Sequence, residues 1–302
     1  MSSIYHSGEM EVQRLAGVQH MAAQTGKSIR DFIPPVAGEF LQQQTMLIAG
    51  STDPYNQVWT SILTGAPGFI IVKDQQTVEI HSSLDKADPL FKNLKTHEQI
   101  GILAIDFQTR KRMRINGKAR IADDVIQVKT EQVYSNCPKY IQARTPVPLL
   151  RNKNPDLTQE ATHTNILSNT QKSWIRLADT FFIATSGPDY RTDASHRGGY
   201  PGFIKVISNT SLIFPDYFGN AMFNTLGNIY SNPQTSLLFI DFNNGSTLQL
   251  IGKSTILWDE HNLAKSPGAE RLIQFEIEQI IEKMNHLPFH QNFSEYSPFN
   301  PE

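Results

Sequence analysis

The feature that most limits how this 302-residue chain can fold is that its middle is written twice. Pro67-Gly68-Phe69-Ile70 returns as Pro201-Gly202-Phe203-Ile204, and residues 78–80 then fall on residues 212–214 in the same register. After a one-residue slip, ILAIDF (residues 102–107) lies on LLFIDF (residues 237–242), and Asn116-Gly117-Lys118 on Ile251-Gly252-Lys253. VIQVKTEQVY (residues 125–134) matches LIQFEIEQII (residues 272–281). Self-similarity on this scale implies two copies of one domain of about a hundred residues, with one strand order. Many short β-rich runs and few helical ones make each copy a barrel or sandwich. Apolar barrel faces need covering, so the copies are expected to pack about a local two-fold axis as an intrachain pseudo-dimer.

Around the copies the pattern divides the chain into five parts. Residues 1–39 read as a helical cap with one helix over 9–23, 40–143 as the first barrel, and 144–174 as a linker and helix. Residues 175–285 are the second barrel and 286–302 a tail without regular structure. In the first copy, strands are expected at 45–49, 58–63, 68–73, 77–82, 99–107, 113–121 and 125–134, with a helix at 88–94. The Pro-, Arg- and Asn-rich run 144–155 is the linker candidate, and 158–178 reads as mostly helical.

Composition removes several function classes. A net charge of −2 gives no general surface for nucleic acid or acidic membranes. The single cysteine, Cys137, excludes an internal disulfide and a cysteine-based zinc site. No apolar run is long enough to span a bilayer and no signal-type apolar segment is seen, which reads as a cytoplasmic protein. There is no G-x-G-x-x-G or P-loop, no H-E-x-x-H spacing and no nucleophile-elbow motif.

The copies differ where chemistry would sit. Ser195-His196-Arg197-Gly198-Gly199 of the second stands against Ser61-Ile62-Leu63-Thr64-Gly65 of the first. Pro215-Asp216 and Gly219-Asn220 stand against His81-Ser82 and Asp85-Lys86. Scaffold residues are kept and polar ones are not, so one functional site is expected, built mainly on the second copy. In residues 195–242 a hairpin is followed by a break at Gly219-Asn220 and a helix with Met222, Phe223, Leu226 and Ile229 at helical spacing. The basic run Arg110, Lys111, Arg112 and Arg114 is either a solvated face or a set of cations pointing across the interface toward an anion.

S-H-R-G-G-x-P-G-F, then F-P-D-x-x-G-N-x-x-x-x-T-L-G-N, then N-P-x-x-x-L-L-F-I-D-F resembles the pyridoxamine 5′-phosphate oxidase-like family of FMN-binding split β-barrels. The first copy resembles it through Trp59-x-Ser61, Gly65-x-Pro67-Gly68-Phe69 and Asn136-Cys137-Pro138-Lys139-Tyr140-Ile141. The likeness spans roughly residues 40–285 and is nearest the tandem-barrel, oxidase-related branch. It implies a six-stranded antiparallel Greek-key split barrel per copy and FMN between the two barrels. Position by position, it places the phosphate on Ser195, His196, Arg197, Gly198, Gly199 and Lys205, and on a second element of Pro215, Asp216, Gly219, Asn220 and Met222. Many members carry a Ser-Arg/Lys pair at the helix start where this chain has Gly219-Asn220, so charge has to come from Arg197 or Lys205. His196 either meets the flavin edge or a substrate or is an ordinary exposed or satisfied histidine, and Trp59 and Tyr200 either cover the cofactor or pack the barrel. The implied activity is FMN-dependent oxidoreduction with a small-molecule substrate or electron donor such as NAD(P)H, by a monomer with an internal pseudo-dimer or by a homodimer. The competing reading is a non-catalytic module that holds flavin, or a related barrel that holds haem.

Overall fold

The computed structural model describes residues 4–82, 88–147, 160–258 and 266–302; Asp85-Lys86 and most of the linker run lie outside them. Three helices come first: α1 (Ser7–Leu15), α2 (Gln19–Gly26) and α3 (Pro35–Gln42). The first sheet follows as β1 (Met46–Thr52), β2 (Val58–Thr64), β3 (Ile70–Val72), β4 (Thr77–Ile80), α4 (Pro89–Thr96), β5 (Gln99–Asp106), β6 (Lys111–Ala122) and β7 (Val125–Asn136). Then come β8 (Ala143–Val147), β9 (Thr162–Thr164) and α5 (Asn169–Leu177). The second copy is β10 (Thr180–Ser186), β11 (Thr192–Gly198), β12 (Lys205–Val206), β13 (Ser211–Tyr217), α6 (Asn224–Ser231), β14 (Gln234–Ile240), β15 (Thr247–Leu257) and β16 (Ala269–Lys283); β17 (His290–Glu295) ends the chain.

The two sheets have one topology. Their orders are β2-β1-β5-β6-β7-β4-β3 and β11-β10-β14-β15-β16-β13-β12, antiparallel throughout, with seven strands in each path rather than the six implied by the resemblance. Even the irregularities repeat. Each long hairpin carries a bulge, between Asn116 and Gly117 in β6 and between Ile251 and Gly252 in β15. A β-carbon on Gly117 would sit 2.1 Å from the Lys129 carbonyl oxygen, and one on Gly252 1.9 Å from that of Glu276. Gly68 and Gly202 both take φ near +90°, which glycine alone adopts without strain. The protein is a mainly β tandem of two split barrels.

Central strands are apolar on both faces because each face has its own core. In β10, Phe181 and Ile183 enter the second barrel while Phe182 and Ala184 face the first copy; in β14, Leu237 and Phe239 enter while Leu238 and Ile240 face out. From the other side Met46, Ile48, Leu103 and Ile105 complete the seam. This is why LLFIDF and ILAIDF read as unbroken apolar runs instead of alternating ones. On the seam, Gly101 of β5 leaves room for the backbone of Thr192 and Asp193.

Three local expectations change. The helix expected over residues 9–23 is two helices, parted at Gly17 (φ +68°), whose left-handed conformation ends α1. The region before α5 contains a short strand, β9, paired to β16. The tail is not irregular: β17 pairs with β8 in a separate two-stranded sheet, and the aromatic, β-branched-poor sequence there gives no clear strand period to read.

The helical cap bridges both copies. Arg30 pairs with Val133 of β7, while α1 lies on α6 so closely that a β-carbon on Gly227 would be 2.5 Å from the Glu9 Cα. Glu9 closes a capping box with His6 and accepts a hydrogen bond from Asn224 Nδ2 at 2.6 Å. Burial pushes its carboxyl up to about 7 from 4.5, whereas burial holds His6 below its ordinary value. A raised carboxyl binds a proton in the fold that the unfolded chain has already released, so its contribution to stability falls as pH rises from 4.5 to about 7. His6, depressed, acts oppositely and costs stability as pH falls through its unfolded value. Glu9→Gln removes the first effect alone. Relative to the parent it should gain about 2 kcal/mol, on the order of 5 °C in Tm, between pH 5 and pH 8. Parallel melting curves of the two proteins across that range would refute the assignment.

Candidate functional site: an arginine cavity on the seam

Strand alternation decides which side chains meet. On β11, Asp193, Ser195 and Arg197 share one face and His196 takes the other. On β6, Arg112 and Arg114 share a face while Met113 and Ile115 enter the first core. The arginine face of β6 and the polar face of β11 bound a cavity of about 110 Å³, closed by residues 136–140 of the first copy and by the lead-in to α6 of the second.

Arg114 makes the inner layer. Its Nη1 donates to Asp193 (3.1 Å), Asn224 Oδ1 (3.2 Å) and Tyr134 Oη (3.3 Å), and its Nη2 to Ser195 Oγ. Burial works against this charge, but Asp193 beside it holds Arg114 above its ordinary value. Arg197 donates to Ser195 Oγ at 2.9 Å and lies 3.9 Å from Asp216, which also faces Arg271 at 3.6 Å. Arg112 differs. Among the described residues no carboxylate lies within ion-pair distance of it. Its Nη1 donates to His196 Nδ1 (2.9 Å), its Nη2 to the Lys139 carbonyl (3.4 Å), and its Nε is buried without a partner. Burial, then Arg114 and Arg197, push it down to about 9, so it stays charged at neutral pH without a counter-ion.

Of the residues singled out from sequence, Ser195, His196, Arg197, Gly198, Pro215, Asp216, Gly219 and Asn220 line this cavity. Three of the eleven residues assigned to the phosphate are elsewhere. Met222 is buried with Tyr5, Ala22, Ile29 and Tyr134 under the helical cap. Lys205 Nζ donates to Ser266, and Gly199 sits against Phe203 with its carbonyl toward Gln142. His196 lines the cavity, yet its ring packs edge-on to Phe107 and Phe182 in the seam core, 6.1 and 5.9 Å between centroids. Burial first, then Arg112, Arg144 and Arg197, hold it well below its ordinary value; the neutral ring accepts from Arg112 and so buttresses that guanidinium from behind.

The helix begins later than the sequence suggests. Asn220 Oδ1 accepts from the Met222 amide in an Asx turn, Ala221 and Phe223 take φ near +60°, and α6 starts at Asn224 with no side-chain cap. Phe223, Asn224 and Thr225 line the cavity, so an uncapped helix N-terminus joins the arginines there. Arg112, Arg114, Asp193, Asn224 and Thr225 were not singled out as one constellation. The i, i+2 spacing of Arg112 with Arg114, and of Asp193 with Ser195 and Arg197, was the available signal.

Among the described residues the pseudo-symmetric position carries none of the three arginines. There Thr247, Gln249 and Leu63 replace Arg112, Arg114 and Arg197, and Gln249 Nε2 bonds the Thr60 carbonyl at 3.0 Å and Ser236 at 3.3 Å. Ser61 Oγ donates to Asp88, a carboxylate capping α4 where an anion would need a donor. No three histidine, cysteine or acidic side chains among the described residues group as a metal site. No helix there is long and apolar enough to cross a membrane.

Duplicated split barrels, with a cationic cavity on their shared seam, define the architecture as a two-barrel tandem. The sequence matches the pyridoxamine 5′-phosphate oxidase family over residues 33–151 and again over 167–285, and the chain belongs to that family. No curated protein matches it. Solved structures of similar fold include an FMN-binding protein from Syntrophomonas wolfei, 12% identical over 37% of this chain and 82% of that one, TM-score 0.29. Others are an FAD-binding protein from Mycobacterium smegmatis, 19% identical over 40% and 98%, TM-score 0.28, and the heme storage protein HutZ from Vibrio cholerae, 15% identical over 34% and 91%, TM-score 0.27.

Proposed function

We propose that this chain binds one FMN through its phosphate in the seam cavity and serves as a flavin-dependent oxidoreductase. The observation that carries the reading is Arg112, a charged and largely enclosed guanidinium without a carboxylate, beside Arg114 and Arg197 and facing an uncapped helix N-terminus. Burying cations in this way is costly unless an anion joins them. A phosphate dianion satisfies the orphaned donor and the α6 amides together. At about 110 Å³ the enclosed space suits a phosphate-bearing end, well short of the roughly 300–1,000 Å³ of a whole-ligand pocket. The rest of the ligand therefore extends toward the mouth formed by Lys139, Tyr140 and Phe218.

Bound flavin supplies hydride and electron transfer. The chain's own part is to bind and orient. Arg112 and Arg197 hold charge, Ser195 and Asp193 fix the guanidiniums, and His196 supports Arg112 as a neutral acceptor. The test begins with whatever absorbs visible light in the purified protein. Flavin bands bleached by NAD(P)H support the oxidoreductase, flavin without reduction leaves a carrier, and a Soret band replaces flavin by haem. Because the pseudo-symmetric position has no counterpart of Arg112, Arg114 or Arg197 among the described residues, absorbance against protein concentration should give one flavin per chain; a value near two contradicts the assignment.

A further inference from the structure

The motif at residues 136–141 forms one wall of the cavity, and the chain's C-terminus holds that wall. After β17 is anchored on β8, residues 297–301 pack on that wall through Ser297 and Phe299. Ser297 Oγ accepts from the amide of Tyr140, a residue in the left-handed region at φ +66°. Gln142 is fully buried and joins the two segments. Its Oε1 accepts from the Ser297 amide (2.8 Å) and Asn300 Nδ2 (3.0 Å), and its Nε2 donates to Asn300 Oδ1 (3.2 Å) and the Tyr140 carbonyl (3.0 Å). Lys139 Nζ lies 4.7 Å from the Phe218 ring of the rim and 5.7 Å from the Phe299 ring of the tail. The same lysine's carbonyl receives Arg112, so the wall and the orphaned cation are coupled.

The hold is polar more than apolar. Ser297 and Asn300 are buried, but Phe299 is 49% exposed and Tyr296 38% exposed. A segment kept by hydrogen bonds with little apolar burial opens locally at far less cost than the barrels unfold. We propose that residues 297–301 are a latch: they set the position of the Lys139–Tyr140 wall, with Gln142 as the positioning residue, and so govern how fast a ligand enters and leaves the cavity. The inference concerns the same cavity as the FMN reading, and only its phosphate and flavin arms rest on that reading.

Cys137, the single thiol of the chain, lies in the wall and reports its opening. In the full-length protein its modification by dithiodipyridine should be slow. Asn300→Ala, and separately a chain ending at Tyr296, should raise that rate about tenfold with the barrel melting transition in place, because local rather than global opening is altered. Ser297→Thr, which keeps the hydroxyl, should stay at the parent rate. Inorganic phosphate should slow modification in every protein. With FMN bound, association and dissociation should both quicken in the latch variants, so the rates move more than the affinity. Equal thiol rates in parent and both latch variants would overturn the latch, as would an acceleration that merely tracks lost global stability. A parent that binds no FMN removes the flavin reading and leaves the thiol comparison to decide the latch.

Discussion

Arg112→Met should weaken FMN binding by about tenfold to a hundredfold, the loss expected when a charged hydrogen-bond partner of a phosphate is removed. The apo protein should melt no lower than the parent. Arg112 has no carboxylate to lose, and replacing an enclosed, uncompensated cation by an apolar side chain of similar length lifts a desolvation cost. Arg197→Ala should weaken FMN within the same range, but with a penalty to the apo protein, since it leaves Asp216 to Arg271 alone. Riboflavin, which has no phosphate, should lose far less on either substitution. Flavin-fluorescence titration of apo protein with both ligands, together with melting curves, decides the matter. Equal weakening of FMN and riboflavin, or no change in either, sinks the phosphate assignment.

A large loss of stability should come from Gly101→Ala, a single added carbon on the seam between the copies. That carbon would stand 2.3 Å from the Thr192 carbonyl oxygen and 2.6 Å from the Asp193 Cα. Both are backbone atoms and cannot swing aside, so the copies must separate along the seam. Moving Asp193 also disturbs its 3.1 Å ion pair with Arg114. Overpacking of this kind costs about 3 kcal/mol, on the order of 10 °C in Tm. Gly68→Ala is the comparison: nothing lies within 4 Å of its added carbon, and only the φ of +93° resists, so about 1 kcal/mol is expected. If Gly101→Ala melts no lower than Gly68→Ala, the close seam contact is wrong.

The architecture was legible because repetition exposes it. Matching Gly-Phe turns, matching bulge glycines and double-faced apolar strands all follow from local geometry, and each recurs in both copies. The site was legible only in part. Five consecutive residues from Ser195 were read as one phosphate element, yet on a strand every second side chain turns away. Ser195 and Arg197 therefore face the cavity while the His196 ring enters the seam core. The α6 start was misplaced because Gly219-Asn220 looks like a cap, whereas Asn220 closes an Asx turn and the helix waits until Asn224.

By itself the sequence determined the family, the duplication, and where the polar residues of the two copies diverge, since these depend on composition and spacing within each copy. The tertiary structure decided which cation lacks a partner. Arg112 meets His196 across 84 residues of chain, and Arg114 meets Asn224 across 110, only because the seam sets β6 of one barrel against β11 and α6 of the other. Whether a guanidinium is solvated, ion-paired or left waiting for an anion depends on what that contact removes from water and what it supplies instead, and neither is written in the spacing of a single strand.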